Sequence, residues 1–128
     1  MRAIDTNVLV RVLVRDDPKQ AQAADAYIAQ GAWISHLVLA ETMWVLDAVY
    51  DRSAAQIADA IESLLNHTSL SVQHEHVVSN ALAQFRTRPT LGFSDCLLVE
   101  IAHSAGHTPV GTFDRNLAKL AGTHRIKP

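Results

Sequence analysis

Four of the thirteen acidic side chains in this 128-residue sequence stand in apolar surroundings. Asp5 closes the run RAID, Glu41 interrupts LVLAETMWVL, Asp95 opens an apolar helix in GFSDCLLVEI, and Asp114 ends PVGTFD. An unpartnered carboxylate is costly to bury, so an acid in such a setting is expected to have a hydrogen-bond donor, a counter-charge or a metal. Taken singly, each has a plain explanation. Asp5, Asp95 and Asp114 precede helical segments and could be N-caps. Glu41 lies too far past the cap Ser35 for that, and its structural alternative is a buried ion pair with an arginine. One shared cation accounts for all four at once. Clustered carboxylates raise one another's pKa unless a divalent ion neutralises them. Oxygen donors without a Cys or multi-His set suit Mg²⁺ or Mn²⁺.

The elements that must position these acids can be read along the chain. The first strand ends at Asp5, and a helix follows over Asn7 to Val14. Asp17-Pro18-Lys19-Gln20 supplies an N-cap, a proline at the first helical position and a Gln three residues after the cap, and Gly31 stops that helix. Ala32 to Ser35 is a strand, Ser35 caps the helix LVLAETMWVLDAVY, and Ser53-Ala54-Ala55-Gln56 is a capping box. The stripe Ile57, Ile61, Leu64 and Leu65 is core packing at helical spacing. Thr68 to Val72 reads as a strand, His74 to Phe85 as a helix, and Arg86 to Gly92 as a loop. FSDCLLVEIAHSAG is a helix ending at Gly106, PVGTF a strand, RNLAKLAG a short helix, and THRIK a last strand. Strands alternating with helices predict an α/β fold, a mainly parallel sheet between helical layers. In such sheets, chemistry gathers beyond the carboxyl ends of the strands. Asp5 and Asp114 fall at strand ends, and Glu41 and Asp95 in early helical turns.

Composition bounds the rest. The length and a 48% hydrophobic content predict one domain over residues 1–128. No apolar run is long enough for a membrane span, and the amino terminus lacks a secretory pattern, so a soluble cytoplasmic protein is expected. Cys96 has no partner for an intramolecular disulfide and reads as a small buried hydrophobe. A net charge of −2 excludes a globally basic nucleic-acid binder, so any polyanion contact must be local. Candidates for phosphate contact are Arg11, Arg15, Arg86, Arg88 and Arg115, against the plainer reading of a solvated surface. The pairs His74/His76 and His103/His107 are badly placed for zinc. Walker-A, GxGxxG and GxSxG motifs are absent. Trp33, Trp44, Tyr50 and Phe85 read as core or interface.

The pieces AIDTNVLVR, SHLVLAETMWVL, FSDCLLVEIAHSAG and GTFDRNLAKLAG, in this order and spacing along the whole chain, resemble the PIN-domain ribonucleases, specifically the VapC-type toxins of bacterial type II toxin–antitoxin pairs. The resemblance implies a three-layer α/β/α sandwich and a metal-dependent endoribonuclease restrained by a cognate antitoxin. On matching positions, Asp5, Glu41, Asp95 and Asp114 are the catalytic acids. Asp5 and Asp95 are the principal Mg²⁺ ligands, and Asp114 and Glu41 complete the pocket through a second ion or through bound waters. Thr6, Asn7, Ser94 and Thr112 are polar neighbours that could orient the carboxylates. The expected chemistry is hydrolysis of an RNA phosphodiester by metal-activated water, with a carboxylate taking the proton, leaving 5′-phosphate and 3′-hydroxyl ends. The implied partners are an RNA substrate, a VapB-type antitoxin lying in a groove near the acids, and a second copy of the chain. Trp44, Leu46 and Tyr50 are the surface considered for them. Two alternatives remain at this level. One is a free-standing RNA-processing nuclease. The other is a receiver-like phosphoacceptor domain, disfavoured because TSLSVQ ends without an acceptor Asp and Lys127 is nearly terminal.

Overall fold

The computed structural model describes residues 1–128, whose contacts group into two compact units, Met1–Glu75 and His76–Pro128. Strands and helices alternate in both, and all strand pairing is parallel. The α/β class with parallel strands expected from the sequence is therefore what the chain adopts.

In the first unit, β1 (Arg2–Ala3) leads through α1 (Thr6–Val14) and α2 (Pro18–Ile28) to β2 (Ala32–Ile34). From there α3 (His36–Ala48) and α4 (Ala54–Leu65) lead to β3 (Leu70–Val72). The sheet order is β1-β2-β3, with Ala3 opposite Trp33 and Ile34 opposite Val72. Four side-chain caps start its helices: Asp5, Asp17, Ser35 and Ser53, the last in a reciprocal box with Gln56. Four valines give α1 a modest intrinsic helix propensity, which burial of Leu9 and Val10 offsets. Arg15 ends that helix in the left-handed region (φ 61°), its N–H closing on the Arg11 carbonyl. The core is built from Ile34, Leu39, Met43, Ile61, Leu64 and their neighbours, each contributing about 1.5–3 kcal/mol on burial.

The second unit opens within α5 (Glu75–Thr87) and continues through α6 (Phe93–Ser104), β4 (Val110–Thr112), a 3₁₀ turn at Leu117–Lys119 and β5 (Thr123–Arg125). β4 pairs with β5 in the register Val110–Thr123, Gly111–His124, Thr112–Arg125. Phe85 and Phe93 meet edge to face, 6.0 Å between centroids, and tie the end of α5 to the start of α6.

Several boundaries differ from the sequence reading. The first strand is only Arg2–Ala3, both exposed; Ile4 is buried and Asp5 is exposed, so the acid does not interrupt a buried strand. The β3 ladder begins at Leu70 rather than Thr68. His74 has φ 41°, which no helix accommodates, so α5 starts at Glu75 and then runs through Thr87, two residues past Phe85. The expected helix over RNLAKLAG is reduced to one 3₁₀ turn, because Asp114 Oδ1 captures the Asn116 and Leu117 N–H groups and Leu120 is already extended. No helix is long and apolar enough to cross a membrane.

Candidate functional site

Asp5 follows β1 and caps α1, its Oδ1 accepting the Val8 N–H at 3.0 Å. The plain structural role available to it is thus real, and it leaves Oδ2 uninvolved in the cap. Thr6, next in line, donates its hydroxyl to Glu41 Oε2 at 2.7 Å, linking the start of α1 to the middle of α3. Glu41 is exposed, so the buried ion pair considered from sequence does not form. α3 is apolar almost all round, and its buried positions are Leu39, Thr42, Met43 and Leu46; Leu37 and Trp44 are left 69% and 66% exposed, bracketing Glu41 on the same side of the helix. Leu46, considered as a partner surface, is core. The Tyr50 hydroxyl is committed to Asp16 at 3.2 Å and Arg11 at 3.3 Å. Trp44 alone of the three stands open.

Asn7 is exposed in the first turn of α1. With Asp5, Val8, Arg11, Gln20, Ala24 and Tyr27 it lines a cavity of about 370 Å³ between α1 and α2. Arg11 bonds Asp16 at 2.7 Å and Gln20 at 2.8 Å, and Arg15 grips both carboxylate oxygens of Asp25 at 3.0 and 2.6 Å. These two guanidinium groups already have anionic partners inside the protein. Arg86, Arg88 and Arg115 are exposed, the first two at the end of α5 and the last directly after Asp114.

In the second unit Asp95 lies half-buried in the first turn of α6, a helix whose cap position, Gly92, supplies no side-chain acceptor. Burial, reinforced by the negative charge of Asp114, pushes the Asp95 carboxyl above the usual carboxylate range. Asp114 lies two residues past β4 and is held tightly. Its N–H donates to Thr112 Oγ1 at 3.0 Å, and its Oδ1 accepts from Asn116 N–H at 2.8 Å. Thr112 therefore orients Asp114 through the backbone rather than by touching its carboxylate. Ser94 is exposed beside Asp95. Cys96 is fully buried and its thiol is pushed up to about 11, mainly by burial, so it is no nucleophile at neutral pH.

Asn116 was missed in the sequence. The signal was there in Asp-Arg-Asn, since an Asp accepting from the N–H two residues on makes an Asx turn. Its side chain also donates to the Thr90 carbonyl at 3.4 Å, anchoring the turn to the loop before α6.

The structure thus brings the acids together in two sets. Thr6 and Glu41 are hydrogen-bonded next to Asp5 in sequence, and the Asp95 carboxyl feels the negative charge of Asp114. No group of three or more His, Cys, Asp or Glu side chains is assembled for an ion. The donor chemistry of the second set nevertheless suits a hard divalent cation, because its carboxylates repel and offer only oxygen. Asp5 and Asp114 both lie just beyond the carboxyl ends of parallel strands, where α/β proteins place their reactive groups.

A carboxylate site on a parallel α/β scaffold defines the class. Residues 3–123 match the family model of the PIN domain, and the chain belongs to that family. PIN domains are generally metal-dependent nucleases, which sets the reaction class. No curated protein and no solved structure matches the chain.

Proposed function

We propose that this chain is a Mg²⁺-dependent endoribonuclease and the toxin of a VapC-type toxin–antitoxin pair. The observation that carries the nuclease reading is the half-buried Asp95, its carboxyl raised by burial and then by the charge of Asp114, in a chain of a family of generally metal-dependent nucleases. A half-buried carboxylate beside a second acid is explained by a cation that would offset its charge. Asp95 and Asp114 are the proposed ligands, with Mn²⁺ as substitute, and the family resemblance assigns Asp5 and Glu41 to the same reaction. When bound, the ion would acidify water and offset phosphate charge.

The chain's own groups do the rest. Thr112 and Asn116 fix the turn that aims Asp114. Thr6 holds Glu41 in one orientation. A carboxylate not engaged with the ion accepts the proton as water attacks phosphorus. Arg88 and Arg115 supply positive charge for the RNA backbone. Support for the toxin role lies in the α1–α2 cavity beside Asp5 and in exposed Leu37 and Trp44 around Glu41, apolar surface of the kind an antitoxin segment or a second copy would cover.

End mapping of RNA digests tests the chemistry. Products with 5′-phosphate and 3′-hydroxyl ends, formed only with Mg²⁺ or Mn²⁺, are expected; a 2′,3′-cyclic phosphate would overturn the mechanism. Light scattering with and without the product of the adjacent gene tests the toxin role. A protein that remains monomeric and indifferent to that product overturns it.

A further inference from the structure

Phe113 is 64% exposed, and burial gives no reason for its place. It sits at the corner of the turn after β4, between Thr112, whose hydroxyl takes the Asp114 N–H, and Asp114, whose carboxylate takes the Asn116 N–H. These bonds hold the turn that carries Phe113, and its Cα lies about 3.8 Å from that of Asp114. The Ile126 N–H closes on the Thr112 carbonyl at 2.7 Å, bringing a second exposed apolar residue (41%) to the same strand end. Gly111 makes room for it: a Cβ there would come within 3.1 Å of Ile126 Cδ1. Arg115, exposed, follows Asp114 directly.

Aromatic, acid and cation therefore stand in three consecutive residues. A nucleotide presents the matching set: a base with a π-face and a phosphate that takes both positive charge and a cation. We propose that Phe113 is a base-stacking residue that receives the nucleobase next to the scissile phosphate. A base paired within a helix has both faces occupied, so only an unpaired one can lie on the ring. Because the turn is already fixed, stacking needs no reorganisation of the backbone. The inference rests on the nuclease reading above and adds a substrate-positioning residue to that site.

The test uses short RNAs carrying 2-aminopurine at successive positions, mixed with the full chain in Mg²⁺ and followed by stopped-flow fluorescence before cleavage. Wild type is expected to quench the probe at one position. Phe113→Ala should lose that quench and bind about tenfold more weakly, raising KM while kcat is kept, with melting unchanged because the ring is exposed. Phe113→Trp should restore both quench and KM. Unchanged quench in Phe113→Ala overturns the inference while leaving the nuclease reading intact, and the same result with a changed oligomeric state identifies the ring as a protein contact instead. A Phe113-dependent quench without any cleavage by wild type supports the stacking and overturns the nuclease reading. Absence of both quench and cleavage overturns both.

Discussion

The two units treat their charges in opposite ways. In Met1–Glu75, Arg11 is met by Asp16, Gln20 and the Tyr50 hydroxyl, Arg15 by both oxygens of Asp25, and Glu41 by Thr6. The Arg15 guanidinium holds the Asp25 carboxyl below the ordinary carboxylate range. In His76–Pro128 the half-buried Asp95 goes the other way, raised by burial and by a second negative charge. Matched charge in the first unit links α1 to the loop before α2, to α2 and to Tyr50 just after α3. The ionised Asp95 in the second works against folding. A bound cation would relieve it, and that difference points to the candidate chemistry better than the number of acids does.

The largest effect that could break the comparison is on cleavage. Asp95→Asn and Asp114→Asn, each nearly isosteric, should lower single-turnover RNA cleavage in Mg²⁺ by about 10²–10⁴-fold. Arg15→Gln, which dismantles a matched pair, should leave the rate within a few-fold. Equal losses in the two would show that the opposed pair has no special role. Next in size is the response to metal. At a hundred times its dissociation constant, Mn²⁺ should stabilise the folded chain by about 2.7 kcal/mol, read as a rise in melting temperature, and Asp95→Asn should abolish the rise. A smaller effect separates structure from chemistry at Asp5. Asp5→Ala removes the α1 cap and should cost about 1 kcal/mol in urea unfolding, whereas Asp5→Asn keeps a capping oxygen and should cost little. If Asp5 has only the structural role, Asp5→Asn also keeps its activity; the proposed function requires that it lose it.

Local chemistry made much of this legible beforehand. The caps at Asp17, Ser35 and Ser53 are decided by a side chain and an N–H three residues away, so the sequence carries them whole. The order of strands and helices, and the motifs that resemble the PIN family, followed from the same kind of signal. What escaped depends on distance or on environment. Glu41 looked buried because α3 is apolar on every side, and no periodicity says which of Leu37, Leu39, Trp44 and Leu46 will face water. Asp16 and Asp25 read as surface acids, although each fixes an arginine five or ten residues away that is a candidate for phosphate contact on sequence alone. RNLAKLAG has helical composition and loses the helix to one carboxylate that takes its first N–H groups. Phe113 passed unnoticed because an aromatic at the end of a strand is ordinarily core.

The smallest effect also carries the clearest sign. Asp95 has a folded pKa above its unfolded value of about 3.9. The stability linked to its proton is fully present below that value and is lost as pH rises through the folded pKa. In metal-free protein at neutral pH the ionised group therefore weakens the fold, and Asp95→Asn should melt higher than wild type, the gap closing as pH falls below about 4. Asp25 has the reverse linkage: depressed by Arg15, it contributes stability that is present above its unfolded pKa and is lost as pH falls through the folded one. Asp25→Asn should accordingly melt lower than wild type at neutral pH and converge with it in acid. Melting curves of the two variants in EDTA across pH 3 to 7 would thus diverge from wild type on opposite sides. Two curves on the same side would mean that Asp95 is as well matched as Asp25, leaving no unmet charge in the second unit for a metal to answer.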